Sequence, residues 1–216
     1  MRLISYTKSL IDNAETPSEL IAYCARVSNP SNQELNESCD RLIKYLIKHK
    51  HWSPLEMVDI TIEIEPTRDI GRQILRHWSF TFQEFSQRYA SVEELNNMFE
   101  VSECRLQDVK NRQNSLENSD KELEEWWYAT QQEVIELTKV KYKEALEKNI
   151  AKELARKILP EGLTKTKMYM KGSLRDWIHY LDLRCGVETQ KEHREIAKQI
   201  SRVILDIFPQ LHDFKQ

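Results

Sequence analysis

The groups best suited to chemistry crowd into residues 75–90. Arg76, His77, Glu84 and Arg88 stand there with Gln83, Gln87 and the hydroxyls of Ser79, Thr81 and Ser86, among Trp78, Phe80, Phe82, Phe85 and Tyr89. A guanidinium forks onto a phosphate or carboxylate in a way lysine cannot copy. Aromatic faces stack on planar rings. The mixture is that of a segment gripping an anionic, ring-bearing small molecule.

More arginines sit in apolar context: Arg156 in 155–160, and Arg175 and Arg184 in 173–184. Burying an unpaired guanidinium costs several kcal/mol, so each must meet a carboxylate or an anionic ligand. Glu56, Glu84, Asp176 and Asp182 can neutralise individual arginines, and less readily all five of Arg76, Arg88, Arg156, Arg175 and Arg184. Ser86 invites a nucleophile reading, but nothing near it supplies the base such a serine needs; His77 is nine residues away. Substrate binding is the better role for it.

Other sites are excluded. With four glycines the chain holds neither a GxGxxG loop nor a Walker A loop, and neither GxSxG nor HExxH occurs. His49 and His51 lack a third ligand in matched spacing, so no metal is expected. Cys24, Cys39, Cys104 and Cys185 are scattered without CxxC spacing, which reads as reduced thiols.

The elements that must position these groups fit one domain of 216 residues, 40% hydrophobic and 31% charged. A net charge of −3 opposes bulk attraction to nucleic acid or an anionic membrane. Neither a signal peptide nor a membrane-length apolar run is present, so a soluble cytoplasmic protein is expected.

In order, 3–7 predicts a strand, and Thr16-Pro17-Ser18-Glu19 is a capping box opening a helix over 17–27. A helix over 37–48 carries Leu42, Ile43, Leu46 and Ile47. In 57–65, Val58, Ile60, Ile62 and Ile64 alternate with polar residues, a half-buried strand. Pro66 opens a helix to about 77, with Ile70, Ile74, Leu75 and Trp78 apolar; Arg68, Arg72 and Arg76 form a row that also reads as a solvated face. A strand is expected at 86–92, and 93–125 reads as an irregular excursion. A helix over 125–148 should turn Trp127, Val134, Leu137 and Ala145 inward, and a shorter one runs from 150 to before Pro160. A strand at 165–170 and a helix from Ser173 burying Leu174, Trp177, Ile178 and Leu181 follow. Thr189-Gln190-Lys191-Glu192 is a second capping box, opening a helix to about 208 with Ile196, Ile200, Val203, Ile204 and Ile207 in the core.

Several of these segments resemble one family, the flavin-dependent thymidylate synthases. Its signature, Arg-His-Arg, seven residues, then Ser, is matched by Arg76-His77-Trp78, seven residues and Ser86, with Arg88 two residues on. Also in family order are 25–28, His51-x-Ser53-Pro54-x-Glu56, Gln73, 155–160, and Leu181-x-Leu183-Arg184 followed by Gln190. The departure is Trp78, where the family carries arginine; tryptophan can stack on a flavin or adenine ring but holds no phosphate. Its alternative is packing against the sheet or a neighbouring subunit.

The resemblance implies an α+β single domain with an antiparallel central sheet flanked by long helices, and reductive methylation of dUMP to dTMP. FAD, reduced by NADPH, would give the hydride and methylenetetrahydrofolate the carbon. Carried over, Gln73, Arg76, Glu84, Ser86, Gln87, Arg88, Arg156 and Arg184 bind dUMP, with Arg184 catalytic. His51, Ser53, Glu56, Arg76, His77, Trp78, Glu84, Ser173, Arg175 and His179 fall at the FAD positions. It also implies a homotetramer with pockets where subunits meet. A catalytically weakened nucleotide- or flavin-binding homologue and a nucleic-acid-binding module are the rival readings.

Overall fold

The computed structural model describes residues 1–29, 39–87 and 97–214. It is an α+β structure of strands β1 (Arg2–Tyr6), β2 (Asp59–Ile64), β3 (Thr81–Glu84), β4 (Arg105–Gln107), β5 (Ser115–Glu117) and β6 (Met168–Ser173). The helices are α1 (Pro17–Ala25), α2 (Cys39–Lys48), α3 (Arg68–Ile74), α4 (Lys121–Glu147), α5 (Lys152–Ala155), α6 (Leu174–Arg184) and α7 (Lys191–Ile207). Two compact units divide the chain: Met1–Ile64 with His77–Gln83 and Tyr169–Gln216, and Glu65–Arg76 with Glu84–Met168. Among the described residues no helix is long and apolar enough to cross a membrane.

The first unit is built on a sheet of order β1-β2-β6-β3. β1 and β2 are antiparallel, with a register shift between Leu3 and Ser5. Val58, Ile60, Ile62 and Ile64 are wholly buried, as their alternation requires. On the other face Glu63 is also buried, and Arg2 donates to its carboxylate at 3.1 Å. The Thr16 box forms in full: Thr16 Oγ1 accepts from Glu19 N at 3.2 Å and Glu19 Oε2 accepts from Thr16 N at 2.8 Å. α2 closes through Lys50 at φ 57°, where His51 N donates to Leu46 O at 2.8 Å. A left-handed lysine is unusual, and here it turns the chain into 51–57.

α6 starts from a second realised box, Ser173 with Asp176, and is tied to β2 by Trp177 Nε1 donating to Ile60 O at 3.1 Å. Its buried residues are Leu174, Trp177 and Tyr180; Ile178 and Leu181, expected there, are half-buried. The box at 189–192 does not form. Thr189 Oγ1 instead donates to Leu183 O at 3.2 Å, satisfying a carbonyl at the end of α6, and Gln190 caps α7 without a side-chain bond. The stripe of α7 is also rotated: His193, Ala197, Ile200, Ser201 and Ile204 are buried, while Ile196, Val203 and Ile207 are half-buried.

In the second unit α3 stops at Ile74, short of the expected 77, and its arginines are not simply solvated. Arg68 donates to Glu84 Oε1 at 3.3 Å, and Arg72 pairs with Glu161. α4 begins at Lys121, capped by Asp120, and buries Gln131, Ile135, Thr138 and Tyr142. Val134 and Leu137 are exposed, contrary to the expectation. The inward face is marked by Gln131, whose amide accepts from Ser102 N at 2.8 Å and Oγ at 3.0 Å and donates to Ser102 O at 3.0 Å and Trp127 O at 3.3 Å.

Residues 93–125 are also more ordered than expected where described. β4 and β5 pair antiparallel, and their loop is organised by Asp108, which accepts from Lys110 N, Asn111 N and Asn114 Nδ2. These bonds hold its carboxyl below the usual range. The strand expected at 86–92 lies earlier, at β3; residues 85–87 are not strand, and 88–92 fall outside the described residues. β6 likewise starts at Met168, three residues after the expected position.

Candidate active site

Arg184, in the last turn of α6, donates from Nε to His77 Nε2 at 2.9 Å. An imidazole nitrogen that accepts carries no proton, so His77 is the neutral tautomer protonated on Nδ1. The bond occupies the inner edge of the guanidinium and leaves its two terminal nitrogens for a ligand. One turn earlier on α6, the buried Tyr180 meets His77 edge-on, ring centroids 4.8 Å apart at 72°. Phe80 packs against Trp177 and Tyr180 with centroids at 4.7 and 5.8 Å. A Cβ on Gly172 would lie 2.6 Å from the Phe80 ring, so this floor requires glycine in β6.

His193 stands in none of the sequence motifs. It is wholly buried, its Nε2 lies 3.0 Å from the Tyr180 hydroxyl, and burial, then the charge of Arg184, then His77 push its pKa down to about 4. Burial also raises the Tyr180 phenol, so the pair is neutral. The available signal was a histidine at 193 in helical register with Ala197, Ile200 and Ile204.

Other expected residues gather in the same unit. Ser53 and Glu56 lie on the 3-10 turn Ser53–Met57, and Glu56 pairs with Arg175 at the start of α6. Ser173 has its hydroxyl committed to Asp176, donating to Oδ2 at 2.6 Å. Glu56, Asp59, Ser79, Thr81, Lys171 and Ser173 line a cavity of about 330 Å³. Lys171 pairs with Asp59 at 2.7 Å, so the carboxylates there are largely neutralised and Ser79 and Thr81 offer hydroxyls. His179 is exposed, edge-on to Trp52 at 4.5 Å, and lines a second cavity of about 740 Å³ with Ile47, Lys50, Trp52 and Cys185. His51 is exposed, its ring 6.2 Å from His49. Trp78 is 93% exposed, so it packs on no core face of this chain, contrary to the helix-face expectation; the helix ends before it.

The second unit holds the remainder. Gln73 is half-buried on α3 and Arg76 is exposed after it. Glu84 Oε1 accepts from Arg68 and from Thr166 Oγ1 at 2.8 Å. Ser86 is half-buried; Gln87 is 5% exposed, and its Nε2 has no partner among the described residues. A buried amide donor costs about 1–3 kcal/mol unless something accepts from it. Arg156 is half-buried, its Nε donating to Glu153 O at 3.4 Å, and Arg88 lies outside the described residues.

The family described as Thymidylate synthase complementing protein matches residues 9–210. A flavin-dependent thymidylate synthase of Synechocystis sp. is 51% identical over 212 residues, covering 97% of this chain and 95% of the relative. A probable flavin-dependent thymidylate synthase of Paramecium bursaria Chlorella virus 1 is 47% identical over 210 residues, with the same coverage. The fold is similar to a crystal structure of the UMP/dUMP methylase PolB from Streptomyces cacaoi bound with 5-Br dUMP. The TM-score is 0.78 at 22% identity, covering 98% of this chain and 92% of that one.

Proposed function

As this chain belongs to the flavin-dependent thymidylate synthase family, we propose that it methylates dUMP to dTMP, with methylenetetrahydrofolate as carbon donor and NADPH as reductant. It is an enzyme, and FAD is its cofactor. The observation that carries the reading is the bond between the signature histidine, His77, and Arg184 of the Leu181-x-Leu183-Arg184 helix. The match over residues 9–210 supports one catalytic domain.

Arg184 offers its terminal nitrogens to the uracil ring and stabilises the negative charge that develops there. A preorganised donor of this kind contributes on the order of 3–4 kcal/mol to the barrier. With Nε2 occupied by Arg184, His77 serves to orient that guanidinium, not to remove a proton from the substrate. Gln87 gives its unmet amide donor to the nucleotide, and Ser86, Arg88 and Arg156 hold its sugar and phosphate, with Gln73, Arg76 and Glu84 alongside.

The residues present fit a flavin. Hydroxyls of Ser79 and Thr81, the aromatic face of Trp78 and the paired Arg175 provide polar contacts and a ring to stack on. His51, Ser53, Glu56, Arg76, His77, Glu84, Ser173 and His179 complete the set, Ser173 by starting α6 and so aiming Arg175. When bound, FAD supplies the hydride that completes the methyl group. The active enzyme is a homotetramer with its sites where subunits meet.

Tritium release from 5-labelled dUMP tests this. Purified protein with FAD, NADPH and methylenetetrahydrofolate should release tritium and form dTMP, and Arg184→Ala should abolish both. A protein that retains flavin and dUMP yet releases no tritium is the weakened homologue instead; turnover surviving Arg184→Ala would remove Arg184 from the chemistry.

A further inference from the structure

His193 is a costly choice for packing alone. An isoleucine or leucine in that register of α7 would fill the space without burying a polar ring, and its neighbours Ala197, Ile200 and Ile204 show what the core otherwise uses. The imidazole brings a specific contact, 3.0 Å to the Tyr180 hydroxyl. Tyr180 is 1% exposed and stands edge-on to His77, and His77 accepts from Arg184. A chain of contacts therefore runs from the interior of α7 through α6 to the guanidinium: His193, Tyr180, His77, Arg184. The His77 and His193 ring centroids are 6.3 Å apart at 88°, with Tyr180 touching both.

We propose that Tyr180 and His193 are a buried positioning pair that holds His77 and, through it, the Arg184 guanidinium in the orientation the reaction needs. Neither touches the substrate. The Tyr180 ring fixes the plane of His77, and the hydroxyl anchored on His193 stops that ring from sliding along α6. The neutral tautomer of His77 then presents Nε2 to Arg184 at a fixed angle, and the two remaining guanidinium nitrogens point where the ring charge develops. Small displacements of such a donor cost rate more than ground-state binding, because the interaction strengthens only in the transition state. The inference rests on the reading of Arg184 given above.

The test is steady-state kinetics of dTMP formation by FAD-loaded Tyr180→Phe, His193→Leu, His193→Gln and the Tyr180→Phe/His193→Leu double variant. Tyr180→Phe keeps the ring and the fold while deleting only the anchor. In the two single variants that break the anchor, kcat should fall about tenfold with the KM for dUMP within about twofold. The double variant should fall no further, since both changes remove one contact. His193→Gln, whose amide can still meet the hydroxyl, should recover most of the loss. Unchanged kcat in Tyr180→Phe, losses that multiply in the double variant, or a His193→Gln as slow as His193→Leu would each overturn the proposal. Arg184→Ala is measured alongside. If it is active, the reading of Arg184 fails; if it is inactive while Tyr180→Phe keeps full kcat, only the positioning pair fails.

Discussion

Arg184 Nε and His77 Nε2 are 2.9 Å apart although 107 residues separate them in the chain. The bond makes the histidine an acceptor, and its geometry depends on the ring keeping its edge-on contact with Tyr180. His77→Phe keeps an aromatic edge there and removes the acceptor. Turnover should fall about 10- to 100-fold, the range for a mispositioned catalytic group. Tritium release against dUMP concentration measures it, and a variant as fast as the parent would show that the bond is incidental.

Trp78, at 93% exposure, contributes little to the fold of this chain. Trp78→Ala should leave the unfolding free energy within about 0.5 kcal/mol, as for surface substitutions generally. Flavin retained through gel filtration, read from its visible absorbance, should drop. Trp78→Arg, which restores the family residue, should hold flavin at least as well as the parent. Full retention by Trp78→Ala would mean that the ring does not stack on the cofactor.

Gln87 gives a prediction of opposite sign for stability and binding. Its amide donor has no partner among the described residues, so Gln87→Leu should cost the ligand-free protein nothing or stabilise it. The dUMP Kd should rise about tenfold, the value of one lost hydrogen bond to a charged or polar acceptor. Calorimetry of both proteins reads the two effects separately.

Gly172→Ala should destabilise by about 1–3 kcal/mol, the usual cost of overpacking. The added methyl would meet the Phe80 ring, and Phe80 packs against Tyr180. Activity should therefore fall beyond the loss of folded protein, which a denaturation curve and an activity assay on the same sample would separate.

Stability should fall on the acid side because of His193. Unfolded, its imidazole titrates near 6.5; folded, it stays neutral down to about 4, held there first by burial and then by the charge of Arg184. Across that window the unfolded chain binds the extra proton, so its stabilising contribution is complete above pH 6.5 and is lost as the pH drops towards 4. The full difference is about 3 kcal/mol by the usual conversion of pKa to free energy. Urea melts from pH 4 to 7 should show the slope, and His193→Leu should flatten it.

Local patterns carried far in this chain. Thr16-Pro17-Ser18-Glu19 and Ser173 to Asp176 start helices because each box satisfies its own backbone groups within one turn. β2 was legible because Val58, Ile60, Ile62 and Ile64 alternate with a period no helix shares. The signature at 76–88 and the segment at 181–184 marked the family and its candidate site residues. What misled were positions whose partners lie far along the chain. Val134 and Leu137 read as the inward face of α4, but Gln131 lies there instead, its amide bonded to Ser102. Thr189 reads as a cap until Leu183 O claims its hydroxyl. Trp78 reads as core because no local pattern says that α3 ends before it. His193 reads as one polar residue in a helix, and only packing α7 against α6 sets it on Tyr180. Residue type and spacing determine which groups can react; the pairing that gives them a tautomer, a charge and a direction arises only where distant segments are brought into hydrogen-bonding distance.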